Sequence, residues 1–160
     1  MKTEILLEEL KRQGKTLATA ESCTGGGIGH RLTAIPGSSA AYAGGVISYT
    51  NHVKQQILGV PAEVLDTKGA VSAETAQAMA EGVRRVIGAD LGISATGLAG
   101  PEGDGSGKPV GLVYLGAADG SRTVVRQFRF EGDREAVRSQ AIEEALNLAL
   151  NLLNDTAEAE

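Results

Sequence analysis

Residues 15–27 read Lys15-Thr16-Leu17-Ala18-Thr19-Ala20-Glu21-Ser22-Cys23-Thr24-Gly25-Gly26-Gly27. The run from Lys15 to Ala20 is β-like, and it leads into an acid, small hydroxyl and thiol side chains, and a glycine cluster. From Gly26 onward Ile28, Leu32 and Ile35 suggest a helix that stops before Pro36. A strand that ends in nucleophile-type side chains, with glycines opening the next helix, is the start of an alternating α/β chain.

The neighbouring segments extend that alternation. Upstream, Ile5, Leu6, Leu7 and Leu10 give a helix that ends at Gly14. Downstream, Ala41–Tyr49 reads as a strand entered through Gly44-Gly45, and Asn51–Leu58 as a short helix closed by Gly59 and the Val60-Pro61 turn. Ser72 is the expected N-cap of a helix over Ala73–Ile87, with Ala76, Met79, Ala80, Val83 and Val86 on one face. A strand over Asp90–Thr96 precedes the long glycine loop Gly97–Lys108. Val110–Ala117 and Arg122–Phe130 are joined by Asp119-Gly120, a hairpin signal. Asp133 caps a final helix whose apolar face runs Val137, Ala141, Ala145, Leu148 and Leu152, and Asp155–Glu160 reads as a frayed polar tail. The hairpin interrupts the strand–helix alternation, so a three-layer α/β/α sandwich with a mixed sheet is expected. With no repeat and no linker, residues 1–160 are read as one domain.

Composition narrows the function classes. The 22 glycines are about 14% of the 160 residues, roughly twice the usual share. Twelve of them fall in three clusters: four within 25–29, two at 44–45 and six within 97–111. With neither a collagen period nor a Gly/Ser run, clustered glycine means special backbone conformations or close approach. A net charge of −5 argues against nucleic-acid and anionic-membrane partners. The single Cys23 forms no internal disulfide or cysteine-based zinc site, which points to a reducing compartment. No segment has the length of a membrane span or the apolar core of a signal peptide, so the expectation is a soluble cytoplasmic protein.

Four blocks carry chemistry. In residues 19–27, Ser22 and Cys23 stand beside backbone N–H groups at a helix N-terminus, where a developing oxyanion would be stabilised. The alternative is an N-cap with tight glycine packing. The dinucleotide fingerprint fails, because His30 occupies the place of its third glycine. Cys23 is a rival nucleophile if its position at the helix start makes it thiolate-like, although a single small cysteine is more often a packing residue. Neither His30 nor His52 is spaced as a partner for it, and no metal signature is present.

The second block runs from Gly37-Ser38-Ser39 through Ser48-Tyr49-Thr50-Asn51-His52-Val53-Lys54. It delivers Tyr49 from a strand end and Lys54 from the helix that follows. Lys54 serves as a general base only if burial lowers its pKa to near neutrality, with Tyr49 orienting it. Otherwise the pair is a solvated lysine beside a half-buried tyrosine. The third block, Ser94 to Pro109, holds a twelve-residue glycine loop after a strand, which is uncommon unless it borders a site. It is not a Walker A loop, since Pro109 follows Lys108. A flexible lid over a hairpin is the alternative. The fourth, Gly132-Asp133-Arg134 with Arg138, offers an anion clamp or simply two exposed arginines.

Together these blocks resemble the CinA C-terminal domain family, the PncC-type nicotinamide-nucleotide amidohydrolases, in its stand-alone form. The resemblance is carried by AESCTGG at 20–26, PGSS at 36–39, GVISYTNHVK at 45–54, GAVS at 69–72, TGLAGPEG at 96–103, KPVG at 108–111 and GDREAVR at 132–138. It implies a three-layer α/β/α fold with a mixed five-stranded sheet, a homodimer, and hydrolysis of the carboxamide of nicotinamide mononucleotide to nicotinate mononucleotide and ammonia. The implied nucleophile is Ser22, the lysine base Lys54 and the nearby tyrosine Tyr49. Thr96, Ser38 and Arg138 fall on positions associated with the family's substrate site. Thr24, Gly25, Gly26 and Gly97 are read as substrate-binding beside them. No metal or other cofactor is required. The contrasting expectation is a catalytically silent nucleotide-binding or interaction module of the same fold.

Overall fold

Leu17–Glu21 (β1) and Leu91–Gly97 (β3) lie side by side and parallel, with Leu17 opposite Leu91 and Glu21 opposite Ala95. Both are buried along nearly their whole length, as central parallel strands covered on two faces must be. The structure is a computed structural model and describes residues 2–159, with side chains through Asp155. Tyr42–Ile47 (β2) pairs parallel with the other side of β1. Leu112–Ala118 (β4) and Thr123–Arg129 (β5) continue the sheet antiparallel, giving the order β2-β1-β3-β4-β5. The expected mixed five-stranded sheet is therefore present.

Helices cover both faces. Lys2–Gln13 (α1), Gly27–Thr33 (α2) and Arg134–Ala159 (α6) pack on one side, where Leu6, Leu10, Ile28, Leu32, Val137 and Ala141 meet Leu17, Ile93, Ala95 and Leu115. On the other side lie Asn51–Gln56 (α3), Ala62–Thr67 (α4) and Ala73–Ile87 (α5). There Ala18 and Ala20 of β1 join Leu58, Val60, Met79 and Val83. The alternation along β1, Leu17 to one layer and Ala18 to the other, is the period of two that a strand imposes.

The α5 helix begins where expected, with the Ser72 hydroxyl accepting from the Thr75 N–H. It rests close against the sheet because β3 and β4 present Gly92 and Gly116 to it. A methyl group at Gly92 would run into the Ala80 carbonyl oxygen, and one at Gly116 would lie 2.8 Å from that of Ala76. Ser94 between them donates to the same Ala76 carbonyl at 2.6 Å. These glycines serve helix–sheet approach.

Three sequence expectations are corrected, and two short elements are added. Val86 is 48% exposed, because the buried stripe of α5 ends at Val83 before the last turn leaves the sheet. Gly44-Gly45 lies inside β2 rather than at its entry, next to a register shift against β1 between Leu17 and Ala18. Helix α4 and the 3₁₀ turn Ser38–Ala40 were not legible, being too short to show a period. Helix α6 continues through Ala159, so the expected tail is helical up to that residue; its alanine and glutamate are good helix formers. Glu160 lies outside the described residues.

The topology fixes where a site can form. The chain leaves β1 through α2 on one face and reaches β3 from β2 through α5 on the other. Connections that diverge to opposite faces open a crevice beyond the carboxyl ends of the parallel strands. Ser22, Ser48 and Leu98 are the first residues past those ends.

Candidate active site at the carboxyl ends of the parallel strands

Ser22 is held on both sides by backbone pairing. Its N–H donates to Ala95 O at 3.0 Å, and Ser48 N–H donates to Glu21 O at 2.7 Å, so three strand ends share one rim. From that rim the chain turns at Thr50, whose hydroxyl caps α3 by accepting from the Val53 N–H. Lys54 follows one turn later and points back under the strand ends. Its Nζ lies 3.0 Å from Ser22 Oγ, 2.7 Å from Ser48 O and 3.4 Å from Tyr49 O.

Lys54 is 1% exposed, and these three partners are carbonyl and hydroxyl oxygens with no carboxylate among them. Burial therefore disfavours the ammonium and lowers the pKa from 10.5 to about 8. A neutral amine becomes accessible near physiological pH, in contact with a serine hydroxyl.

The dyad opens into a cavity of about 250 Å³ whose lining includes Ser22, Cys23, Tyr49, Asn51, Lys54, Thr96, Gly97 and Arg134. Its far wall is the glycine loop from Leu98 to Asp104. Thr96 donates to Ala70 O at 2.7 Å and so ties β3 to the turn before α5. Tyr49 contacts Lys54 through its carbonyl, not its phenol. The phenol oxygen instead accepts from Arg134 Nη2 at 3.1 Å, and Arg134 Nη1 donates to Gly100 O at 2.7 Å.

The structure thus brings Ser22, Lys54, Tyr49, Thr96 and Gly97 to one cavity and leaves other expected residues outside it. Ser38 is buried in the 3₁₀ turn before β2, at the sheet end where Tyr42 pairs with Leu17, opposite to Ser22. The Thr24 hydroxyl donates to Glu21 Oε1 at 2.7 Å and faces away from the cavity. Gly25 and Gly26, with φ of 58° and 99°, take the left-handed backbone that lets the chain enter α2. They border a separate groove with His30 and Arg138. The Arg138 guanidinium is not a wall of the cavity; its Nε and Nη2 donate to Cys23 O and Thr24 O, each at 3.1 Å.

Cys23 takes the packing role and not that of the rival nucleophile. It is 6% exposed, and burial pushes its thiol up to about 12, so it is a neutral packing residue rather than a thiolate. The N–H groups of Gly25, Gly27 and Gly29 are engaged by Ser22 O, Thr24 O and Glu21 Oε2. Among the described residues the N–H groups of Cys23, Thr24 and Gly26 have no acceptor on another residue, and of the three only Cys23, whose N–H lies against its own thiol, lines the cavity next to Ser22.

Two contributors were missed. Glu21 is 2% exposed, and its carboxylate accepts from the Thr24 hydroxyl and the Ile28 and Gly29 N–H groups, fixing the turn from β1 into α2. An acid directly before a helix start was the available signal. Asn51, at the α3 entrance, lines the cavity without any spacing to announce it.

The profile of the CinA C-terminal domain matches residues 2–153. The chain belongs to the CinA C-terminal domain family. Relatives include a CinA-like protein of Synechococcus sp. (strain RCC307), 49% identical over 146 residues, covering 90% of this chain and 35% of that protein. A CinA-like protein of Geobacter sulfurreducens is 49% identical over 137 residues, covering 86% of this chain and 33% of that one. The chain spans about a third of the length of the curated relatives it matches. Among solved structures, the CinA superfamily protein of Klebsiella pneumoniae 700603 superposes with a TM-score of 0.93 at 36% identity, covering 96% of both chains. The competence/damage inducible protein CihA of Agrobacterium tumefaciens gives 0.91 at 38% identity, covering 96% of this chain and 93% of that one. The α/β fold of this CinA-family chain is thus that of its structural relatives.

Proposed function

We propose that this CinA-family domain is a serine–lysine amidohydrolase that converts nicotinamide mononucleotide to nicotinate mononucleotide and ammonia. The observation that carries the reading is the buried, carboxylate-free Lys54 amine 3.0 Å from Ser22 Oγ, with its pKa lowered to about 8. The choice of substrate rests on the family resemblance of the motifs that supply these residues.

In this mechanism neutral Lys54 takes the Ser22 proton as the oxygen attacks the carboxamide carbon. The negative charge that develops on the carbonyl oxygen falls to the Cys23 N–H. The Lys54 ammonium then returns its proton to the departing nitrogen, releasing ammonia and leaving an ester on Ser22. Water, deprotonated by the same amine, attacks that ester. Collapse expels the Ser22 oxygen, which recovers its proton from Lys54, and the acid product gives its own proton to solvent and leaves as the carboxylate. Every proton removed by Lys54 is returned within the cycle. Dyads of serine and lysine are a known variant of hydroxyl activation. Arg134, on the cavity wall between Tyr49 and Gly100, supports the reading as a cation available to the substrate phosphate.

Incubating purified protein with the mononucleotide and measuring ammonia tests the proposal. Release that disappears in Ser22→Ala and Lys54→Met supports it. Binding without release above the Ser22→Ala background overturns it in favour of a silent nucleotide-binding module. The resemblance also carries a homodimer, which sedimentation equilibrium tests.

A further inference from the structure

Arg138 is half-buried and absent from the cavity, yet two of its nitrogens donate to main-chain carbonyls of the turn that carries Ser22. Those carbonyls belong to peptide groups whose other ends matter. Thr24 C=O and Gly25 N–H are one peptide group. Arg138 Nη2 donates to its oxygen at 3.1 Å, and its N–H donates to Ser22 O at 3.1 Å. Ser22 C=O and Cys23 N–H are the next peptide group. The second group's N–H, like those of Thr24 and Gly26, has no acceptor on another residue among the described residues, and of these three residues only Cys23 lines the cavity beside Ser22.

We propose that Arg138 is a positioning residue that acts on the oxyanion donor through two peptide groups in series. The path runs from the guanidinium to Thr24 O, from Gly25 N–H to Ser22 O, and ends at Cys23 N–H. A cation at a carbonyl oxygen draws electron density toward it and makes the N–H of the same amide a stronger donor. Repeated across a second amide, the effect sharpens the N–H that faces the reacting carbonyl. A trans peptide directs its C=O and N–H oppositely, so holding Ser22 O toward Gly25 also turns the Cys23 N–H outward from the turn. Arg138 Nε, on Cys23 O at 3.1 Å, anchors the intervening peptide, so the turn cannot flip.

Three observations favour this role over substrate binding. The guanidinium forms no part of the cavity wall, whereas Arg134 does. Its remaining nitrogen, Nη1, is paired with the exposed Glu135 at 3.4 Å. An arginine also keeps its charge at any pH at which the amidase would work, so the donor is held strengthened throughout the cycle.

The proposal rests on the amidase reading, and the test separates the two. The kcat and KM for nicotinamide mononucleotide are measured for wild type, Arg138→Met and Arg138→Lys, with thermal melts to confirm folding. Arg138→Met should lower kcat roughly tenfold at unchanged KM, between the few-fold effect of polarisation alone and the 10²–10³-fold effect of losing an oxyanion donor. Arg138→Lys, which keeps the cation, should fall between Arg138→Met and wild type in kcat, again at unchanged KM. A variant that raises KM while keeping kcat overturns the relay and makes Arg138 an anion ligand. Unchanged kcat in Arg138→Met also overturns it. If Arg138→Met does not fold, Arg138→Lys decides alone: lowered kcat at unchanged KM supports the relay, and wild-type kcat or a raised KM overturns it. A wild-type protein that releases no ammonia overturns the amidase reading itself.

Discussion

Lys54 Nζ and Ser22 Oγ are 3.0 Å apart, in a pocket where the lysine has no carboxylate partner. The pair joins residues 32 apart in the chain, one just past the end of β1 and the other in the first turns of α3.

The first consequence is a pH profile. The reactive form needs neutral Lys54, so kcat should rise with pH about tenfold per unit below about 8 and level off above it. Steady-state rates of ammonia release from pH 6 to 10 check this. A flat profile through pH 8 removes Lys54 as the base.

The same lysine makes a stability prediction. Its folded pKa is about 8 against an ordinary 10.5, so between those values the unfolded chain binds more protons and stability rises with pH. Below pH 8 the full burial cost is present, roughly 3 kcal/mol at most from the size of the shift. Lys54→Met removes this linkage. The variant should therefore be inactive yet more stable than wild type at pH 7, with an advantage that shrinks toward pH 10.5. Urea unfolding of both proteins at pH 7 and pH 10 measures it; an advantage that does not change with pH contradicts the assignment.

Cys23→Ala should keep kcat within about threefold, because the thiol is neutral and the backbone N–H survives the substitution. Loss of all turnover in a folded Cys23→Ala protein would return the thiol to the mechanism. Alkylation of the wild-type protein by iodoacetamide should likewise be slow at pH 7.

Gly92→Ala tests the packing of α5. The added methyl meets the Ala80 carbonyl oxygen, backbone that can move only with the helix. A loss of about 2–3 kcal/mol, or a Tm lower by roughly 5–10 °C, is expected. Differential scanning calorimetry reads it directly.

How much of this was legible in the sequence follows from the range of the signals. Helix α5 was readable because Ser72 caps it and its apolar face, Ala76 through Val83, recurs at helical spacing. The β4–β5 hairpin was readable because Asp119-Gly120 is local turn chemistry. Ser22, Lys54 and Thr96 were named from motifs, and the structure brings them to one cavity. What failed depended on direction. Nothing in GDREAVR at 132–138 says that Arg134 faces the cavity while Arg138, one helical turn on, faces the Ser22 turn from outside. Nor could PGSS at 36–39 reveal that Ser38 sits at the amino end of β2, a whole strand away from the dyad. The glycine clusters account for only part of the glycine excess. Clusters drew attention to loops, while the isolated Gly92 and Gly116 set the distance between α5 and the sheet.

The Ser22 N–H bond to Ala95 O has a kinetic corollary. The nucleophile is held in register by a strand more than seventy residues later, and the base by a helix that follows β2. No segment ending before β3 can assemble the dyad, so its formation is among the non-local events that slow the folding of such sheets. During refolding from urea, turnover should return with the last phase that completes the central strand pairing, after the local helices have regained their signal. Catalysis would then serve as a clock for the closure of the sheet.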